Sequence, residues 1–326
     1  MSLPHDYLDN NAEADALGPV MGMIGPLSMA ESESDANTAP RAEASIKHLH
    51  VNRSTLILPD RLIADDSEAM RYLAGHEEIS HVLLAGSDSL DLPIGRLREV
   101  MELLAAVEHI RMIRLCSRIP ALQPERIIGN GELLDLLSAQ SNPNRSLHLM
   151  MQFHRPEEVN NRAAEAFRAL SAAGVGLVGE VPFLPGSDAD PDAIVDLLER
   201  LTRANVIPYQ FVLHQPAEGS GQPRLTLEEA YRLAETVKSR ISGPARRARL
   251  TMKHSSGYVE ILAIENGKAY VKGHLSNRDA NGRFMILDCP AEASSFEELK
   301  GYEPSERTGK SPSDTTYLKV PYEIPD

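Results

Sequence analysis

The sequence predicts an α/β protein, a parallel sheet covered by helices, and three observations carry that reading. Seven short, nearly continuous apolar runs recur between residues 55 and 254. Between them lie stretches with the helical spacing of apolar residues, several opened by recognisable caps. The connections between the two kinds of segment are short. Strands that are apolar on both faces and separated by helices belong to parallel sheets, because antiparallel sheets commonly leave one face to water. Seven such strands fit a closed or partly open barrel better than a flat doubly wound sheet, and periodicity alone leaves both open. In either case the working face is where strands end and helices begin.

Taken in order, the chain opens with an acidic leader. Residues 1–45 carry Asp6, Asp9, Glu13, Asp15, Glu31, Glu33, Asp35 and Glu43 against Arg41 alone, about half of the net charge of −14. The segment is rich in Ala, Ser, Asn, Gly and Pro and is expected to be disordered, since it holds too little apolar surface to offset its ordering entropy. Its GPVMGMIGPLSM patch is open to docking on the body or on a partner. It has neither a basic stretch nor an apolar core of the kind that marks a secretory signal.

The strands are expected at TLILP (55–59), HVLLAG (81–86), IRMIRLC (110–116), LHLMMQF (147–153), GLVGEVPF (176–183), IPYQFVL (207–213) and ARLTMKH (248–254). Helices are expected at 66–75, 93–107, 131–140, 157–173, 191–204 and 226–240. Asp190-Pro191 marks one start, and Thr226 followed by Glu229 reads as a capping box. Beyond them, residues 267–289 form two alternating runs around Asn277–Gly282, the pattern of a β-hairpin. The remainder is rich in Pro, Ser and charge and reads as an extended tail. The expected division is a leader (1–45), a barrel (46–262) and a hairpin with its tail (263–326).

Composition narrows the function. No apolar run approaches the roughly 20 residues that span a bilayer. An acidic chain without a basic stripe is poorly suited to nucleic acid. Cys116 and Cys289 are the two cysteines, which excludes a disulfide framework and favours a reducing cytoplasm.

The strand exits then supply the candidate site: Gly86-Ser87-Asp88, Cys116-Ser117-Arg118, His154-Arg155, Glu180, His214-Gln215, and Lys253-His254-Ser255-Ser256. Each has a plain structural role open to it. Asp88 could cap a helix, Arg118 pair with a carboxylate, and His154 donate to a backbone carbonyl. Recurring at five or six exits, they point to a pocket of Asp88, Arg118, His154, Glu180, His214, Gln215, Lys253 and His254. His154, Glu180, His214 and His254 have the chemistry of ligands for Zn²⁺ or Fe²⁺, so a divalent metal is open, although no H-x-H or H-E-x-x-H pattern joins two of them.

Several stretches, in this order, resemble the lysine 2,3-aminomutase family of radical S-adenosylmethionine enzymes. HVLLAGSDSL is similar to V-L-L-S-G-G-D-x-L, and IRLCSRIPALQPERI to I-R-I-G-T-R-x-P-V-V-x-P-x-R-I. FHRPEEVNNRAAEAFRALSAAGV, GEVPFLPGSDADP and PYQFVLHQPAEGSGQPR continue the likeness, which covers about residues 68–262. It implies a (β/α)6-type partial barrel with an extra strand and a small C-terminal β-hairpin region. It also implies that Gly86, Ser87, Asp88, Arg118 and Glu180 stand where relatives meet S-adenosylmethionine, with Glu180 replacing a glutamine. Retention of that cofactor is left open.

The departures fall on the chemistry. The family's C-x-x-x-C-x-x-C loop follows the first strand, where this chain has PDRLIADDSE. A 4Fe–4S cluster held by three thiolates is therefore not expected. The stretch KHSSGYVE stands against the family's pyridoxal-phosphate strand D-A-P-G-G-G-G-K, placing Glu260 at the Schiff-base lysine and Lys253 at an ammonium-binding aspartate. Pyridoxal phosphate is not expected either. Gln215 replaces the family's other ammonium-binding aspartate, so a cationic side chain would be repelled and an acidic or neutral ligand is easier to hold. The expected function is a relative that has lost the radical aminomutase chemistry and binds a small amino-acid-like ligand or an active paralogue, with a homo-oligomer open. A reassigned metal-dependent enzyme and a genuine aminomutase-type isomerase are the alternatives.

Overall fold

The structure, a computed structural model, describes residues 50–52, 54–65, 67–85, 88–184, 190–213, 224–254, 257–273 and 283–301. The expected leader and tail lie outside these residues. Most helix starts are set locally. Ser67 accepts from the Met70 amide at the head of α1 (Glu68–Gly75). Asn130 does the same for Leu133 in α4 (Gly131–Gln140). Asn160 receives the Arg162 and Ala163 amides in α5 (Asn161–Ala172), which is why this helix starts later than its apolar spacing predicts. Pro156–Glu158 form a separate 3-10 turn before it. Asp190 caps α6 (Pro191–Arg203), and the expected Thr226–Glu229 capping box opens α7 (Leu227–Arg240). Helix α2 (Ile94–Ala105) and the short α3 (Ile119–Leu122) complete the set.

Among the described residues eleven strands form one sheet, each paired with its neighbours in sequence. The parallel body is β2 (Thr55–Pro59), β3 (His81–Ala85), β4 (Met112–Cys116), β5 (Ser146–Gln152), β6 (Gly176–Phe183), β7 (Ile207–Leu213) and β8 (Arg249–His254). These are the seven expected strands, with ends shifted by at most two residues. Strand β1 (His50–Asn52) pairs antiparallel with β2. Strands β9 (Gly257–Glu265), β10 (Lys268–Gly273) and β11 (Arg283–Asp288) extend β8 as an antiparallel meander.

The order decides between barrel and flat sheet. A doubly wound sheet reverses its strand order at a switch point, whereas here the order never reverses. Right-handed crossovers that all step the same way place every helix on one face and curl the sheet into an α/β partial barrel. The terminal β1 and β11 do not pair with each other, so the curl stays open.

Strand β9 was not among the expected strands. Its Val259 pairs with Met252 of β8, and both are buried, so the Lys-His exit is one arm of a hairpin and not the edge of a loop. The expected boundary at residue 262 falls within β9, and the sheet runs on through it. The predicted hairpin is present as β10 and β11, in register from Lys268↔Asp288 to Gly273↔Arg283. Its turn lies outside the described residues.

Alternation divides every parallel strand between two environments. One set, including Leu56, Leu58, Val82, Leu84, Ile113 and Leu115, packs under the helices and is at most 1% exposed. Phe153 meets Phe167 of α5 edge-on at 6.0 Å, and Phe183 stacks on Phe211 at 4.7 Å. After α5 the chain turns at Gly174 (φ +82°), a backbone state that side chains rarely adopt, and a Cβ there would also press Ser141 at 3.1 Å. The other set of strand residues points inward and is far more polar.

Truncating Phe167, which is fully buried, should cost about 4 kcal/mol through lost transfer energy and a residual cavity. Thr226→Ala should cost about 1 kcal/mol through the lost cap. Urea unfolding followed by circular dichroism reads both.

Candidate functional site

At the rim where the parallel strands end, two polar seams join neighbouring exits, one through hydrogen bonds and one through an ion pair. Asp88, just past β3, is buried; its Oδ1 accepts the Leu90 amide at 3.0 Å and its Oδ2 the Arg118 amide at 2.7 Å. Ser89 returns the link: its amide donates to the Cys116 carbonyl at 2.8 Å, and its hydroxyl accepts from the Cys116 amide at 3.2 Å. Burial raises the Asp88 carboxyl above the usual range, against the hydrogen bonds from Ser117 and the backbone. Asp88 therefore fastens the β3 exit to the β4 exit and caps no helix; α2 begins behind Pro93.

The second seam rests on Glu158, which sequence reasoning missed. Both its carboxylate oxygens accept the His154 amide at 3.3 Å, and its Oε1 lies 3.9 Å from the Arg118 guanidinium. Burial raises Glu158, and the Arg118 charge opposes the rise. The Pro156 that stops the chain after His154 brings Glu158 back over it; in the sequence this carboxylate looks like one more charge before a helix.

Deeper on the inward face, register places Gln152, Glu180 and Gln210 side by side on β5, β6 and β7. All three are buried, Glu180 at 1% exposure. The Gln210 amide donates to Glu180 Oε1. Glu180 Oε2 is buried and has no hydrogen-bond partner among the described residues. Burial lifts this carboxyl to about 7, while the Gln210 hydrogen bond and the charges of Lys253 and Arg114 hold it down. Lys253, half-buried on β8, is pulled below its usual range by burial, with Glu180 opposing. Across the β8–β9 pair from it, Tyr258 is raised well above the ordinary phenol range by burial and then by Glu180 and Cys116. The Cys116 thiol is likewise driven up, by burial first and Glu180 second, so it stays protonated. A carboxyl that titrates near neutrality beside an amine can accept a hydrogen bond from a ligand or exchange a proton with it.

Of the predicted residues, Glu180 and Lys253 come together here, and Asp88, Arg118 and His154 belong to the seams above them. His254 does not join them. Adjacent strand residues point to opposite faces, and its ring packs 4.5 Å from Phe296 on the far side. Among the described residues no three His, Cys, Asp or Glu side chains gather as a metal ion requires. Gly86, Ser87, His214 and Gln215 lie outside the described residues.

The residues present do not fit an iron–sulfur cluster. The β2 exit turns through Asp60–Leu62 without a cysteine, and Cys116 and Cys289 are single buried thiols on β4 and after β11. Nor does β9 offer a Schiff-base anchor: Glu260 stands opposite Thr251 and Lys272, a carboxylate where an amine would be needed.

Compared with known proteins, the chain is similar in sequence to several named as aminomutases. No protein-family model matches the chain. It is 31% identical over 241 residues to a protein of Aquifex aeolicus named putative L-lysine 2,3-aminomutase, covering 73% of this chain and 64% of that one. It is 27% identical over 177 residues to the L-lysine 2,3-aminomutase of Haemophilus influenzae, covering 54% and 50%. With the glutamate 2,3-aminomutase of Clostridioides difficile it shares 25% over 178 residues, covering 55% and 41%. The chain thus spans less than two thirds of the length of these curated relatives.

Glu180 predicts a pH-dependent stability. Its folded value, about 7, lies above the ordinary 4.5, so the protonated form favours the fold. That contribution is whole below pH 4.5 and is lost as pH rises towards 7, about 3 kcal/mol in all. The stability advantage of Glu180→Gln over the native chain should therefore grow by about 2 to 3 kcal/mol from pH 5 to pH 8 in urea titrations.

Proposed function

We propose that this chain belongs to the lysine 2,3-aminomutase family as a member that binds a small amino-acid-like ligand on the inward face of its barrel and carries out no radical chemistry of its own. The observation that carries the reading is the buried Glu180 Oε2, unspent among the described residues and set beside Lys253. A buried carboxylate oxygen without a donor is costly, and a ligand N–H or ammonium would satisfy it. Lys253, in turn, offers a cation to a carboxylate. A zwitterion carries the complement of both groups.

The ligand's side chain is neutral or acidic in this reading, because the resemblance sets Lys253 and Gln215 where relatives present carboxylates to an ammonium group. One relative is named for glutamate, so glutamate is the first compound to test. The cysteine-free β2 exit supports the absence of a resident cluster. Two single buried thiols accord with a reducing cytoplasm. Residues 1–45, rich in carboxylates, serve as a tether to an active paralogue or a second copy.

Calorimetric titration of the full chain should show binding of glutamate or alanine and none of lysine. Glu180→Gln should weaken that binding at least tenfold, about the worth of one charge-assisted hydrogen bond. Lysine binding as tightly as glutamate would defeat the reading. Anaerobic reconstitution with iron and sulfide should leave no visible iron–sulfur absorbance; a stable cluster spectrum would show that the radical chemistry is retained.

A further inference from the structure

The inward face carries a second polar cluster, at the opposite, N-terminal end of the parallel strands, which the site around Glu180 leaves unused. His81 is the first residue of β3, Arg114 the middle residue of β4 and His148 the third residue of β5. Register aligns Leu83 with Arg114, Arg114 with His148, and His148 with Gly176. His81 lies two residues before Leu83, hence on the same face. Three nitrogen-bearing side chains from three adjacent strands thus share one end of the lumen, each partly open to solvent.

The fold makes room for this cluster. The His148 ring lies over the bare backbone of Gly176, where a Cβ would come within 2.6 Å of its Cδ2 and 2.9 Å of its Nε2. His148 Nδ1 and Arg114 Nε are both buried and have no hydrogen-bond partner among the described residues. No described carboxylate forms an ion pair with Arg114. His81 Nδ1 meets the Ser80 hydroxyl at 2.9 Å and the ring also bonds the Ser54 backbone, which fixes it beside the other two. Burial first, and the Arg114 charge second, keep both imidazoles below their ordinary range.

A half-buried guanidinium whose Nε has no acceptor among the described residues is expensive, and the imidazole beside it adds an unspent nitrogen. An oxyanion resolves both. It takes the guanidinium fork and a ring N–H, a direct contact that Glu180, coupled to Arg114 through charge alone, does not make. Donors converging from two adjacent strands suit a tetrahedral oxyanion, whereas a planar carboxylate would occupy the guanidinium fork alone. We propose that Arg114 and His148, flanked by His81, form a binding site for an oxyanion of the phosphate class towards the N-terminal end of the barrel.

The test is titration of the full chain with inorganic phosphate at constant ionic strength, followed by calorimetry and by the ring-nitrogen resonances of ¹⁵N-labelled histidine. Saturable binding should appear, with the His148 and His81 nitrogens shifting together; acetate should bind at least tenfold more weakly. Arg114→Gln should abolish the response, and Arg114→Lys should retain it at least fivefold weakened, since an ammonium keeps the charge but not the fork. Gly176→Ala, which displaces His148 without touching charge, should weaken phosphate at least threefold and serves as the variant if Arg114→Gln does not fold. The proposal is overturned if phosphate and chloride act alike at equal ionic strength, or if Arg114→Gln or Gly176→Ala binds phosphate as the native chain does. Neither outcome bears on the Glu180 reading, which turns on amino acids at the other end of the strands.

Discussion

Everything in this molecule depends on the pairing of each strand with the one before it. Because the order from β2 to β8 never reverses, all strand ends gather on one rim and all helices on one side. The sheet must then curl, and the residues of its inner face are enclosed by backbone and deprived of water. Apolar residues alone would make that interior an ordinary core. Here it holds Arg114, His148, Gln152, Glu180, Gln210 and Lys253, and the enclosure gives His148, Glu180 and Lys253 unusual proton affinities.

Two polar layers follow from this enclosure. The upper one centres on Glu180, where burial outweighs the attraction of two nearby cations and leaves the carboxyl titrating at about 7. The lower one is Arg114 with its two histidines, where the charge has the opposite sign. Between them stand Met150 and Val178, with Cys116 level beside them, a belt without charged groups. The interior thus holds the acid Glu180 with Lys253 near one end and Arg114 with two histidines towards the other. The rim above is held by Asp88 and Glu158, carboxylates employed in fastening loops.

Much of the fold was legible in the sequence. Runs such as TLILP and GLVGEVPF coincide with β2 and β6 because a strand buried on both faces must be continuously apolar. The Thr226–Glu229 cap was legible because its chemistry is local. Strand β9 escaped notice because GYVEILAIE begins beyond a Ser-Ser-Gly stretch that reads as the close of the preceding element. Glu180 stood out as a carboxylate inside an apolar run. Arg114 and His148 did not, since a single polar residue within such a run looks like a tolerated exception until the register sets the two side by side.

By itself, the sequence determined the α/β class, the places of the seven parallel strands, the caps at Asp190 and Thr226, and the absence of a cysteine loop after β2. These are matters of composition and short-range pattern. Only the tertiary structure decided that the sheet curls without a switch point, and that adjacent Lys253 and His254 serve opposite faces. It also decided that Glu158 stands beside Arg118. The physical reason is the same in each case. Which side chains meet is set by strand register and by the side of the pleat on which each residue falls, and both are properties of pairing between segments far apart in the chain.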